Sequence, residues 1–257
     1  MSATVKVALL GAAGRMGQAV LEAAPSHPDI KVAAALVRQG SEMIGWESHG
    51  LRYSGDLASA LTGADVLLDF SLPVSTMLAL DACLAAKKPL VTGVTGLDAA
   101  AKARLGEAGK HIPVLAAPNM SYGVALLTRL VQQAAAVLGE DFDVEIAEAH
   151  HRHKRDAPSG TALALAEAVS GARGVPAPTA EQARAGERRP GSIGFSVQRG
   201  GDIVGEHSVL FAGVGERLEL THRAQSRATF AHGALRAASW IAGKTAGSYS
   251  LADTLAG

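Results

Sequence analysis

An apolar run, a glycine-rich turn and a helical pattern follow one another at the start of this chain. That succession constrains the fold more than any other feature. Val5–Leu10 reads as a strand, Gly11-Ala12-Ala13-Gly14-Arg15-Met16-Gly17 as the turn, and Met16–Ala24 as a helix. Glycines at such a junction let the backbone turn tightly and approach a pyrophosphate, whose charge meets the free N–H groups of the helix start. The spacing GxxGxxG is a variant of the dinucleotide fingerprint. A plain βα turn is the competing reading, and the strand–turn–helix context argues against it.

The same alternation continues through the first half. Lys31–Val37, Asp65–Phe70, Leu90–Thr92 and Ile112–Ala116 read as strands, with helices over Thr76–Ala86 and Ala99–Gly109 between them. This order builds a parallel, Rossmann-type sheet covered on both faces. After Asn119 the pattern changes. A helix from about Val124 to Leu138 leads into a strand, Asp143–Ala149, and another helix spans Thr161–Val169. Ser170–Gly191, rich in Gly, Ala, Pro and charge, reads as a mobile loop. Three strand-like runs follow, Ile193–Gln198, Glu206–Phe211 and Arg217–His222, whose short turn-rich links predict antiparallel pairing. A last helix covers Phe230–Ile241. The fold class is therefore α/β, with an α+β domain and a mostly antiparallel sheet at 122–230. Residues 1–121 and 231–257 make the first domain.

A dinucleotide site normally holds an acidic residue about 20 positions beyond the glycines, on the ribose hydroxyls of NAD. Here that position is Val37, followed by Arg38. Valine accepts no hydrogen bond, whereas a guanidinium pairs with a 2′-phosphate, so the sequence favours NADPH over NADH. A solvated arginine at a strand end is the plainer alternative. Gly93-Val94-Thr95-Gly96 and Ala117-Pro118-Asn119-Met120 close two further strands, where ligand-lining loops of parallel sheets lie. Taken singly, each reads equally as an ordinary turn.

With 24 basic and 24 acidic residues the formal net charge is zero, which argues against a general nucleic-acid binder. One cysteine, Cys83, excludes an internal disulfide framework and fits a reducing compartment. The apolar stretch Val7–Leu10 stops at Gly11, far short of the roughly 20 residues of a membrane span. A soluble, cytoplasmic protein without membrane contact is the expectation.

Local charge then becomes conspicuous. His150-His151-Arg152-His153-Lys154-Arg155 packs three imidazoles and three cations into six residues, and Asp156-Ala157-Pro158-Ser159-Gly160-Thr161 leads into a helix. A metal site would need converging ligands, and Arg152, Lys154 and Arg155 would repel the ion, so none is expected. A nucleic-acid patch fits poorly with zero charge and 4% aromatic residues. A solvated basic loop is the default for an isolated run. The favoured reading is a dicarboxylate site with a proton donor. Ser159 would be the N-cap, while Gly160 and Thr161 in the first turn bind a carboxylate and His151 takes another contact. A histidine suits general-acid work near neutral pH, and a lysine beside other cations releases its proton more readily.

These motifs resemble the dihydrodipicolinate reductase family (4-hydroxy-tetrahydrodipicolinate reductases) over essentially the whole chain. The anchors are the 11–17 turn, Asp69-Phe70-Ser71, 93–96, Glu148 to Lys154, Asp156 to Thr161, Gly201 to His207 and Gly215-Glu216-Arg217. The resemblance implies an N-terminal nucleotide domain, a C-terminal substrate-binding and oligomerisation domain, and a homotetramer. It implies His150 as catalytic acid, Lys154 as a second proton donor, and His151, Gly160 and Thr161 as substrate-carboxylate ligands. It places the cofactor on Gly11, Ala12, Ala13, Gly14, Arg15, Met16, Gly93, Val94, Thr95, Ala117, Pro118, Asn119 and Met120, with Arg38 on the 2′-phosphate. Loss of an acid at Val37 implies weaker use of NADH, and Pro118, where related chains often have alanine, removes one N–H from the cofactor loop. The implied reaction is hydride transfer to a cyclic, unsaturated dicarboxylate in the diaminopimelate route to lysine, with domain closure assembling the site. A different NADPH-dependent reductase would not require the histidine–lysine loop. A non-catalytic dinucleotide sensor would tolerate its loss.

Overall fold

The computed structural model describes residues 4–176, 187–188 and 191–255. In chain order the elements are β1 (Val5–Leu10), α1 (Arg15–Ala23), β2 (Ile30–Leu36), β3 (Glu47–Ser48), β4 (Leu51–Ser54), α2 (Leu57–Thr62), β5 (Val66–Asp69), α3 (Pro73–Ala86), β6 (Leu90–Thr92), α4 (Ala99–Ala108) and β7 (Pro113–Ala116). There follow α5 (Tyr122–Leu138), β8 (Asp143–His150), α6 (Gly160–Arg173), β9 (Ile193–Arg199), β10 (Gly205–Ala212), β11 (Arg217–Ala224), α7 (Ala228–Ile241) and β12 (Gly247–Tyr249). Contacts divide the chain into two units, Met1–Tyr122 with Arg227–Gly257, and Gly123–Ser226.

In the first unit, eight strands of the described residues form a sheet ordered β12-β7-β6-β5-β1-β2-β4-β3, parallel except for the β3–β4 hairpin. From Val7 onward β1 is buried on both sides, which explains its unbroken apolar run. Ala8 and Leu10 pack with Leu67, Leu80, Cys83 and Leu90 in one cluster. Burial pushes the Cys83 thiol up to about 12, with the nearby Asp69 charge adding to the effect, so it is an inert packing group. The chain leaves β1 toward β2 on one side and returns through β5 on the other, so the strand order reverses at the carboxyl end of β1.

The β3–β4 hairpin, α2 and β12 were not legible from pattern. His49 and Gly50 both take positive φ at the hairpin tip, and the strands they join are too short to show alternation.

The second unit holds a four-stranded sheet ordered β11-β10-β8-β9. One face packs against α5 and α6 through Leu127, Val131, Ile146, Leu165, Phe195 and Phe211. β9 departs from the antiparallel pairing that its short links predict. β9 does not pair with β10; it pairs parallel with β8, which lies between them. The link after Arg199 carries the chain over the end of β8, and seven register pairs with β8 bury Ile193 and Phe195 in the core. Ser170–Gly191, expected to be loop throughout, begins instead in a helix. The helix α6 continues through Arg173 and ends at Gly174 in the left-handed region, because Ser170 and its neighbours still face the core. Most of the remainder of that segment lies outside the described residues.

Candidate active site

At the carboxyl end of β1, Gly11 takes φ +83, and a Cβ there would lie 2.5 Å from the Phe70 carbonyl oxygen. The N–H groups of Gly11 and Ala12 both donate to Leu36 O at 3.0 Å, and Gly14 N–H donates to Gly11 O at 2.9 Å. Gly14 is the N-cap of α1 and offers no side chain to cover the helix start. Gly17 is buried with the Gly11 carbonyl and Ala12 backbone occupying the space of a Cβ. Such an uncapped, glycine-lined helix start fits a pyrophosphate. Ala13 and Met16 are half-buried around it, while Arg15 and Arg38 are exposed.

The other two strand-end loops are tied to one buried carboxylate. Asp69 accepts from Ser71 N–H at 2.9 Å, Ser71 Oγ at 2.5 Å, Thr76 Oγ1 at 2.7 Å and Thr92 Oγ1 at 3.1 Å. Burial pushes its carboxyl up, and those hydrogen bonds oppose the rise. Thr92 Oγ1 in turn accepts from Val94 N–H at 3.3 Å, which holds the start of the 93–95 loop. Ala117 N–H donates to Thr92 O at 3.0 Å, and Asn119 Oδ1 accepts from Ser121 N–H at 2.8 Å. Both loops, with Met120 buried and Pro118 and Thr95 exposed, thus stand at adjacent strand ends of the same sheet.

In the second unit, β8 runs from the core into the histidine segment. Val144, Ile146, Glu148 and His150 share one face by the two-residue period of a strand. His150 Nδ1 lies 2.6 Å from Glu148 Oε2. Arg199, opposite His150 in the β8–β9 register, clamps both oxygens of Glu148 at 2.7 and 2.8 Å. Ser159 N–H adds a fourth bond to Glu148 at 2.9 Å. Ser159 Oγ caps α6 by accepting from Ala162 N–H at 3.2 Å and meets His207 Nε2 at 3.0 Å. Gly160 and Thr161 form the first turn of that helix. The His150 and His207 rings meet edge-on with centroids 5.1 Å apart. Lys154 is half-buried and pairs with Asp156 at 2.9 Å. His151, also half-buried, has an Nδ1 shielded from solvent and without a partner among the described residues. Among the described residues no cluster of three or more His, Cys, Asp or Glu could hold a metal ion.

Two domain families match this chain in tandem: the N-terminal domain of dihydrodipicolinate reductase over residues 5–120 and its C-terminal domain over 123–255. The chain belongs to the dihydrodipicolinate reductase family. The 4-hydroxy-tetrahydrodipicolinate reductase of Thiobacillus denitrificans is 49% identical, covering 98% of both chains. That of Anaeromyxobacter dehalogenans is 48% identical over 97% of both. Among solved structures, a dipicolinate-bound dihydrodipicolinate reductase from Paenisporosarcina sp. TG-14 shares the fold with a TM-score of 0.77 and 22% identity, covering 96% of this chain and 97% of its own. GenD2 from gentamicin A biosynthesis, solved with NAD, shares it more distantly, with a TM-score of 0.57 and 14% identity over 86% of this chain and 73% of its own.

Charge in this family member's histidine site is balanced locally. Burial would raise the Glu148 carboxyl, but hydrogen bonds from Arg199, His150 and Ser159 N–H outweigh it and hold the group below its ordinary value. Burial lowers His150 against the pull of Glu148, and the charges of Lys154 and Arg199 lower it further. His207 is lowered most, to about 4, by burial and then by His150.

A stability consequence follows from His207. Its folded value lies below the ordinary 6.5, so the folded chain resists its protonation. The contribution is complete above pH 6.5 and is lost as pH falls through that value toward 4. Lowering the pH from 7.5 to 4.5 should therefore cost the wild type on the order of 2–3 kcal/mol more than a His207→Gln variant. Urea midpoints at the two pH values measure the difference. Equal losses in both proteins would refute the assignment.

Sequence reasoning singled out His150, His151, Lys154, Ser159, Gly160 and Thr161, and the structure gathers His150, Ser159 and Gly160 around the start of α6. It gave no role to Glu148, Arg199 or His207. The signal was present: Glu148 and His150 are two apart on a strand, and Arg199 ends the strand paired beside it.

Proposed function

We propose that this chain is a pyridine-nucleotide-dependent reductase that converts 4-hydroxy-tetrahydrodipicolinate to tetrahydrodipicolinate in the diaminopimelate route to lysine. The observation that carries the reading is the Glu148–His150 pair beside the Ser159-capped start of α6, in a chain that matches both domains of the family. A nucleotide would lie on Gly11–Met16, with its nicotinamide against 93–95 and 117–120, and would supply the hydride. The rest of the chemistry falls to side chains. Gly160 and Thr161 receive one carboxylate at the positive end of α6, and His151 helps orient the other. His150 gives a proton to the electron-rich atom left by reduction, and Lys154, close to the same loop turn, is the second donor. The substrate carries a 4-hydroxyl, so water leaves before or during the reduction.

The dicarboxylate site is tested with dipicolinate, a planar analogue. Calorimetry should find it bound by wild type and weakened by about tenfold in Thr161→Val, the loss of one charge-assisted hydrogen bond. Equal affinity in both proteins would move the carboxylate elsewhere.

The cofactor preference is NADPH, with NADH used more weakly, because Arg38 follows a buried Val37 where an acid would serve the ribose hydroxyls. Arg38→Ala should lower kcat/KM for NADPH by about tenfold, through a lost phosphate pair, and leave that for NADH unchanged. A parallel fall with both cofactors would contradict this role.

The second sheet leaves Glu206, Ser208 and Leu210 half-exposed on the face away from α5 and α6. Burial of that face in a homotetramer of the cytoplasmic enzyme is the reading that covers it. No helix of the described residues is long and apolar enough to cross a membrane.

A further inference from the structure

We propose that Arg199 and Glu148 form a positioning pair that fixes the tautomer of His150 and makes its Nε2 the nitrogen that exchanges a proton with substrate. This rests on the reading of His150 as proton donor, and goes beyond it by saying which nitrogen acts and what prepares it.

Glu148 receives two bonds from the Arg199 guanidinium and one from the Ser159 backbone N–H, and neither group can accept. The carboxylate is thus ionised and accepts at both oxygens. The fourth bond, at 2.6 Å, must then be donated by His150 Nδ1–H. A neutral ring with its hydrogen on Nδ1 leaves Nε2 bare. Space is kept there as well. Gly205 stands beside Nε2, and a Cβ on it would lie 3.1 Å away.

Charge then decides how readily the ring trades its proton. A carboxylate facing an imidazole alone would hold the imidazolium and slow proton release. Arg199 cancels that charge through a bidentate pair, so Glu148 orients the ring without trapping its proton. The other charged or titratable groups around the ring fit the same scheme. Lys154 approaches from the loop but is paired with Asp156. His207, on β10, stays neutral, with its Nε2 3.0 Å from Ser159 Oγ, and His222 lies opposite it on β11. Topology supplies the geometry: Glu148 and His150 are two apart on β8, and Arg199 is register-paired with His150 on β9.

The test is a histidine-detected NMR titration of the full chain, joined to the pH dependence of kcat. In wild type, nitrogen shifts should report the Nδ1–H tautomer for neutral His150. Arg199→Gln should raise the His150 pKa by about one unit, because the carboxylate is no longer cancelled. Arg199→Lys, which restores the charge, should bring it back. The limb of the kcat profile should move with His150 in each case. A wild-type Nε2–H tautomer, which needs no variant to measure, would overturn the proposal. So would an unshifted His150 in folded Arg199→Gln. If His150 shifts but the rate profile does not, His150 is not the proton donor, and the catalytic part of the proposal falls with that reading.

Discussion

Replacing His150 by Gln and Lys154 by Ala together should lower kcat by about a thousandfold or more while NADPH affinity stays at the wild-type value. General-acid groups contribute about 10²–10⁴-fold, and the double change removes both candidate donors. The loops proposed to hold the cofactor belong to the first unit, Met1–Tyr122 with Arg227–Gly257, and both altered residues to the second. Stopped-flow reduction at saturating substrate gives the rate, and NADPH fluorescence gives the affinity. Single variants should lose less than the pair, since either donor partly replaces the other. A double variant that retains a tenth or more of wild-type turnover would remove these side chains from the chemistry.

Gly11→Val should both destabilise the chain and abolish nucleotide binding. A Cβ at this position meets the Phe70 carbonyl oxygen at 2.5 Å, and φ +83 disfavours a β-branched side chain. Backbone strain of roughly 1–2 kcal/mol and overpacking of roughly 1–3 kcal/mol together predict a loss of about 3 kcal/mol. The urea midpoint at unchanged slope measures it. The turn would also lose the shape proposed to bring N–H groups to a pyrophosphate. A variant with wild-type stability and NADPH affinity would mean that the glycine turn is not the cofactor cradle.

Much of the first unit was readable because burial on both faces of a parallel sheet writes itself as unbroken apolar strands such as Val7–Leu10. What escaped there were elements held by neighbours rather than by their own pattern. Gly247–Tyr249 is a strand because Pro113–Leu115 offers it a free edge, and nothing in those three residues announces it. The pairing of β9 escaped for a related reason. Loop length favoured a hairpin to β10, but burial of Ile193 and Phe195 against the helices set the register on β8.

Legibility of the site divides along the same line. The histidine segment and PSGT turn are contiguous, so their nearness in space reads directly from the sequence. The Glu148–Arg199 pair joins residues 51 apart in sequence, and only the β8–β9 register brings them together. His207 is reached by a third strand. Charged residues that meet across a sheet leave no local trace beyond their alternation, which is why the sequence marks Glu148 only as a family anchor and not as the partner of His150.

NADPH absorbance, followed with substrate made in situ from pyruvate and aspartate semialdehyde by the preceding synthase, tests the assigned reaction. Rapid oxidation that depends on the synthase, and slower oxidation with NADH, is the predicted result. Folded protein that binds NADPH yet gives no synthase-dependent oxidation would contradict the assigned reaction.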